Sequence, residues 1–281
     1  MPSPPIDALI SPTLKYVREG WWDAEFTEFL VETLHPRPGN RILDVGCGEG
    51  LAEVSIGHLH ISQVRQIGID LTVDKVIAAR QEAAAHNLRA SFAAGDATAL
   101  PFAAGAFDAV YCVAVLQHVR DLGAAIAEMA RVTRRGGRVV AVEPDNSARY
   151  LYSSIPQGEQ ALAAAARFFA AVAAARGDGP EAAVGPKLPS LFARHGVEPM
   201  QVRLFPVAEV LLASPPAERW QLRRQAVERS MAATSDAAVR AAGRDYLAAL
   251  DAYAAASRVA GATFVEIQHT LLFATVGQRA E

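Results

Sequence analysis

Three glycines fall within five residues, Gly46, Gly48 and Gly50, directly after the apolar run RILDV. Such density marks a backbone that something must approach closely. In the dinucleotide fingerprint G-x-G-x-x-G, glycines let a pyrophosphate reach a helix N-terminus. Gly46 and Gly48 satisfy its first two positions, but the third falls on Leu51, and the third glycine comes one residue early. Asp44, two residues before Gly46, would repel a pyrophosphate and attract an ammonium or another cation. Asp70 and Asp96 follow at the ends of the next two expected strands. At the first place a carboxylate can take two ribose hydroxyls. At the second it can accept a hydrogen bond from an exocyclic amine. Singly, each aspartate reads as a cap or turn residue. Three in register suit a nucleoside that also carries an ammonium.

These residues need a sheet whose strand ends meet. The chain alternates short apolar runs with helical patterns: strands over 41–46, 64–71, 89–97, 107–114 and 138–144, with helices over 49–59, 72–87 and 121–135. Arg135-Gly136-Gly137 reads as a helix stop. This alternation implies a parallel sheet covered on both faces, and the strands that are continuously apolar agree. Before it, residues 13–34 suggest one or two helices, followed by the breaker cluster HPRPGN. After it, helices are expected over 157–176, 190–196, 215–233 and 235–258, with strands within 198–210 and over 263–277. The expectation is one domain over 1–281: an N-terminal helical cap at 13–35, a core at 40–145, and helical insertions at 145–190 and 208–262 over the acceptor site.

Composition narrows the class. The 281 residues are 51% hydrophobic and 20% charged, a globular balance with length enough for a sizeable core. A net charge of −3 without any basic run argues against a nucleic-acid partner. Two cysteines, Cys47 and Cys112, indicate no disulfide framework and fit a reducing compartment. The start MPSPPIDALISPTLKY has neither a basic n-region nor an apolar h-region, and no uncharged apolar run reaches the length of a membrane span. A cytoplasmic protein is therefore expected. His58 and His60, two apart and without further ligands nearby, do not make a metal site, so none is expected.

Taken in order, LDVGCGEG, GIDLT, GDATALPFAAGAFDAVYCVAVLQHV and ARVTRRGGRVVAVEP resemble the motifs of class I S-adenosylmethionine-dependent methyltransferases. They are most similar to the group that acts on quinones, sterols and small natural products. The resemblance covers roughly residues 40–145. It implies an α/β, Rossmann-like, doubly wound seven-stranded sheet of order 3-2-1-4-5-7-6 with strand 7 antiparallel. It implies S-adenosylmethionine as cofactor and S-adenosylhomocysteine as product. Gly46, Gly48 and Gly50 would pass against the methionine portion, with Asp44 at their strand end. Asp70 would hold the ribose, Leu71 would lie beside the adenine, and Asp96 and Ala97 would contact its edge. The backbone near Val113 would face the methionyl amino group, and Tyr16 would reach the cofactor carboxylate.

A sulfonium methyl is already activated, so such an enzyme chiefly aligns nucleophile, carbon and sulfur and excludes water. A base is required only where the acceptor must lose a proton. His118, just past the fourth strand, and Glu143, at the end of the fifth, are the candidates; each could equally be a local structural residue. Trp21, Trp22, Tyr150 and Tyr152 are candidates to line a flat or cationic small-molecule acceptor, although aromatics at such spacing also build cores. The expected activity is methyl transfer to an aromatic or alicyclic small molecule, with O-, N- or C-methylation open, by a monomer or homodimer. The alternative is a cofactor-binding protein without transfer activity that acts through a partner. A nucleic-acid methyltransferase is disfavoured because AVLQHV stands where an N/D-P-P-Y/F-type motif would be. Leu51 and Asp44 disfavour a nicotinamide dehydrogenase.

Overall fold

The computed structural model describes residues 21–57, 64–175 and 183–281. Tyr16, His58 and His60 lie outside the described residues. Helices and strands follow local chemistry. Helix α1 (Ala24–Leu34) starts where Asp23 Oδ1 accepts the Phe26 N–H at 2.8 Å, and ends at His35, whose φ of 50° leaves the helical region. Its buried Phe26, Phe29, Leu30 and Leu34 recur at helical spacing. Strand β1 (Arg41–Val45) leads through the glycine loop to α2 (Leu51–Gly57), then β2 (Arg65–Asp70), α3 (Val73–Ala85) and β3 (Ala90–Ala94). Strand β4 (Phe107–Val113) runs into a 3-10 turn at Leu116–His118, then α4 (Leu122–Val132), capped by Asp121. Next come β5 (Thr133–Ser153), α5 (Pro156–Ala175), α6 (Leu188–Arg194), β6 (Val197–Leu211), α7 (Ala217–Ala232), α8 (Ala237–Ala260) and β7 (Glu266–Arg279).

The described strands form one seven-stranded sheet in the order β3-β2-β1-β4-β5-β7-β6, as the motifs imply. β1 pairs in parallel with β2 and β4, β2 with β3, and β4 with β5. β7 is reversed. Its end meets the beginnings of its neighbours: Gln278 Nε2 donates to Gly136 O at 3.1 Å, and the Ala280 N–H donates to Gly196 O at 3.0 Å.

One element differs from the sequence reading. Arg135-Gly136-Gly137, expected as a helix stop, lies inside β5, because α4 already ends at Val132. Thr133 starts the strand, and its hydroxyl closes on Met129 O at 2.6 Å. The register then slips: Phe107 faces Thr133, whereas Ala109 faces Arg138. The surplus residues bulge out around Gly136, whose φ is +68°. β5 also continues past 144 to Ser153, so Tyr150 and Tyr152 are strand residues.

The chain divides into two compact units, with boundaries inside β5, β6 and β7. The sheet unit comprises Trp22–Asn146, Ala182–Phe205 and Leu271–Glu281. Its core joins Leu43, Val45, Val110 and Cys112 of the strands to Ile126 and Met129 of α4 and Phe192 of α6. On the other side, Phe26 and Phe29 of α1 pack on Phe205, with ring centroids 5.3 and 5.0 Å apart.

The helical unit comprises Met1–Trp21, Ser147–Glu181 and Pro206–Thr270. There α5, α7 and α8 enclose Phe168, Trp220, Val227, Leu247, Leu250 and Tyr253. It buries one ion pair: Arg223 and Glu266 meet at 2.6 Å with side chains 15% and 1% exposed. Although burial opposes the charged form, Arg223, Tyr253 and Gln268 hold the Glu266 carboxyl below its ordinary range. Glu266→Ala strands the guanidinium and is expected to cost about 3–5 kcal/mol, read from urea unfolding. Arg223→Met with Glu266→Leu is expected to restore most of that loss.

Candidate active site

The candidate site lies at the carboxyl ends of β1, β2, β3 and β4 in the sheet unit. Its loop is fastened through β2. The N–H groups of Gly46 and Cys47 donate to Ile69 O at 2.7 and 3.0 Å. The Gly48 N–H donates to Asp70 Oδ2 at 3.0 Å and the Thr72 N–H to Asp70 Oδ1 at 2.9 Å. The Asp70 carbonyl takes the Gly95 N–H at 3.0 Å. One residue therefore ties the glycine loop, the start of α3 and the turn after β3. Each carboxylate oxygen keeps a further lone pair for a ligand.

The three glycines have different surroundings. A Cβ on Gly46 would lie 2.3 Å from Val115 Cγ2, and φ is +80° there. A Cβ on Gly50 would lie 3.2 Å from Ala79 Cβ on α3. Gly48, with φ +55°, has nothing within 4 Å of that position. Gly46 and Gly50 thus let the loop pack against protein, and Gly48 is the one that faces open space.

Beyond Asp70, Leu71 is 72% exposed and is followed by exposed Val73 and Ile77 on α3. Asp96 is exposed; its Oδ1 accepts from the Thr98 N–H and hydroxyl, both at 2.8 Å, which fixes the turn. Ala97 packs on the core. This loop is held from α4: Glu128 accepts the Leu100 N–H at 2.7 Å, and Arg131 donates to Leu100 O and Phe102 O at 3.0 and 2.8 Å. Val113 ends β4, and Ala114 after it takes a φ of 56°, a costly conformation for a side-chain-bearing residue.

Glu143 binds backbone, the structural role that the sequence left open for it. Its side chain is fully buried, and its carboxylate accepts the N–H groups of Val115 and Leu116 at 2.8 Å and of Gln117 at 3.3 Å. It caps the 3-10 turn, at the end of which His118 is exposed. Asp44 is buried, 4% exposed, with its carboxylate by Tyr111 and Glu53. The expected cation-attracting carboxylate at the strand end is therefore a buried one, because Asp44 shares its face of β1 with Ile42 rather than with Val45.

Glu53 is a residue the sequence reading missed. It is wholly buried in the first turn of α2, and among the described residues neither carboxylate oxygen has a hydrogen-bond partner. With Asp44 and Tyr111 it borders a cavity of about 10 Å³, room for about one water. Burial pushes Glu53 up to about 8. Burial and then the Glu53 charge raise Asp44 well above the usual carboxylate range, against the Tyr111 hydrogen bond. Burial likewise raises the thiols of Cys47 and Cys112, which are small interior residues. In the sequence Glu53 looks like an ordinary first-turn helix acid; only the approach of Gly68, where a Cβ would lie 2.6 Å from Glu53 Oε1, reveals its burial.

Of the aromatic candidates, Trp22 belongs to the sheet unit and stacks edge-on with Phe26 at 5.1 Å. Trp21, Tyr150 and Tyr152 belong to the helical unit. Trp21 is buried, whereas Tyr150 and Tyr152 are 50% and 46% exposed on one face of β5. Tyr150 stacks on His269 at 5.4 Å. No group of three or more potential metal ligands occurs among the described residues.

Two outcomes are expected. Unfolded, Glu53 titrates near 4.5, and folded near 8, so the native state binds the extra proton between those values. Stability is then full below that interval and falls as pH rises through it. Asp44 acts with the same sign. Urea midpoints measured across this range should decline for the wild type and flatten for Glu53→Gln. Gly46→Ala, which collides with Val115, should unfold much more readily than Gly48→Ala. The latter places its methyl group in open space and should cost only about 1 kcal/mol.

Residues 43–141 match the protein family described as "Methyltransferase domain". The chain is 37% identical over 112 residues to an O-methyltransferase of Pyrenophora dematioidea, covering 39% of this chain and 41% of the relative. It is 36% identical over 118 residues to the demethylmenaquinone methyltransferase of Mycobacterium marinum, covering 42% of this chain and 47% of the relative. The chain thus spans less than half the length of either relative. Among solved structures, the [4+2]-cyclase SpnF is similar with a TM-score of 0.58 and 19% identity, covering 100% of this chain and 99% of that one. That likeness concerns the fold alone. The strand order and the glycine loop tied to Asp70 accompany a match to the methyltransferase domain over residues 43–141.

Proposed function

We propose that the protein transfers a methyl group from S-adenosylmethionine to a small-molecule acceptor, an aromatic or alicyclic natural product. The observation that carries this reading is the loop at Gly48. A backbone with open space where a Cβ would stand lies directly beside a carboxylate that still has acceptor capacity. A nucleoside with an aminoacyl arm fits that pair. The residues present are suited to it: Asp70 for the ribose hydroxyls, exposed Leu71 for one adenine face, Asp96 and Ala97 for the adenine edge, and the Val113 backbone for the amino group. Gly46 and Gly50 shape the loop, and Asp44 with Glu53 supports it from below. The O-methyltransferase and demethylmenaquinone methyltransferase relatives support a small-molecule acceptor.

The bound cofactor supplies an activated methyl on a sulfonium. The chain's part is to hold, orient and exclude water, which together can contribute about 7–11 kcal/mol to the barrier reduction. Asp70 is oriented before any ligand arrives, because two backbone N–H groups fix its oxygens. His118 is exposed at the end of a turn whose N–H groups Glu143 fixes. We assign it the role of taking a proton from an acceptor hydroxyl or amine, a task that imidazole chemistry suits. Within the sheet unit, Trp22 offers an aromatic surface for a flat acceptor; Tyr150 and Tyr152 offer another within the helical unit.

Calorimetry with S-adenosylhomocysteine is expected to show binding to the wild type, and at least about a tenfold weakening in Asp70→Ala, since a charge-assisted hydrogen bond contributes that much. A panel of phenolic, quinol and amine acceptors with labelled cofactor should then give product. His118→Ala should lower kcat with little change in cofactor affinity. No affinity for the cofactor, or affinity unchanged in Asp70→Ala, would contradict the reading. Cofactor binding without turnover across the panel would point to a protein that acts through a partner.

A further inference from the structure

The opposite ends of the strands carry a feature that methyl transfer does not use. Around the N-terminal ends of β1, β4 and β5, a cleft of about 230 Å³ is bordered by His35, Arg37, Asn40, Asp108, Arg134 and Arg138. β1 has five residues, so the cleft is separated from the glycine loop by roughly 15 Å of strand. It brings three guanidiniums against a single carboxylate.

That carboxylate is already committed. Asp108 Oδ1 accepts from Arg134 Nε at 2.8 Å, and Oδ2 accepts the Arg41 N–H at 2.9 Å. Although burial opposes it, these donors hold Asp108 below the ordinary carboxylate range. Asp108 therefore offsets Arg134 and leaves Arg37 and Arg138 uncompensated.

Arginines at this end of a parallel sheet often serve helix C-termini, whose carbonyls carry partial negative charge. Arg279 does so at the end of α4, reaching Arg131 O and Thr133 O, while Arg131 holds Leu100 O and Phe102 O of the loop after β3. Arg37 and Arg138 do not. The Arg37 guanidinium meets only His35 Nε2, at 3.1 Å, and that of Arg138 meets Met200 Sδ. Neither has a carboxylate or carbonyl partner among the described residues. Arg37 is exposed and Arg138 half-buried, and a single contact each, to a ring nitrogen and a thioether, leaves most of their five N–H groups for an outside acceptor.

We propose that this cleft binds a phosphate-bearing anion through the guanidiniums of Arg37 and Arg138. Guanidinium pairs match phosphate oxygens two at a time. The volume lies below the range of about 300–1,000 Å³ usual for drug-sized ligands, so a phosphate or diphosphate group fits better than a whole nucleotide. Such a group could be a free ion or the headgroup of an anionic lipid. The site is independent of the cofactor reading, since it shares none of the residues assigned to the cofactor.

Pyrophosphate titrated calorimetrically into the full chain at low ionic strength tests it, together with flotation on phosphatidylcholine vesicles with and without phosphatidic acid. The wild type should bind pyrophosphate saturably. Arg37→Gln with Arg138→Gln should weaken that at least about tenfold. The same variant should keep its thermal midpoint and its affinity for S-adenosylhomocysteine. Flotation that needs phosphatidic acid and is lost in the variant assigns the phosphate to a lipid headgroup. Pyrophosphate binding without flotation assigns it to a soluble ligand. Absence of both, or binding that the double variant leaves unchanged, overturns the proposal.

Discussion

The carboxylate of Asp70 is the constraint on which the site depends. It ends β2, and its two oxygens take the N–H groups of Gly48 and Thr72. It adds to the two hydrogen bonds that the loop makes to the Ile69 carbonyl. The same aspartate sets the start of α3 and, through its own carbonyl, the turn that leads to Asp96. A hydrogen bond to a charged group is stronger than one between neutral groups, so this junction is stiffer than its few atoms suggest. It arranges the strand ends before any ligand is present, which is where binding energy is saved.

Beneath that junction the protein holds a costly arrangement. Asp44 and Glu53 are both buried, lie near one another, and border one small cavity with Tyr111. Two ionised carboxylates in such a place would repel one another, so protons are retained there. The glycine loop joins β1, which carries Asp44, to α2, which carries Glu53.

The sheet was legible because its strands are continuous apolar runs such as FDAVYCV and because its breaks are glycines and aspartates. The extent of β5 was not. Arg135-Gly136-Gly137 carries a helix-stop composition, and a bulge uses the same glycine freedom. Asp70 and Asp96 were legible as strand-end carboxylates that hold the following turn. The burial of Asp44 was not, because the alternating direction of side chains along a strand decides which face a terminal carboxylate takes. Asp44 turned inward to Tyr111, and Glu143 to the N–H groups of the next turn. Glu53 and the arginine cleft were silent for a different reason. One is a common helix acid, and the other is assembled from Arg37, Arg134 and Arg138, which form no basic run in the chain.

The most direct test of the central claim is a crystal structure of the full chain with S-adenosylhomocysteine. The account places the aminoacyl arm across Gly48, the ribose hydroxyls on Asp70 and the adenine between Leu71 and Asp96. A ligand bound elsewhere, or one that reaches the loop while its ribose avoids Asp70, would contradict it.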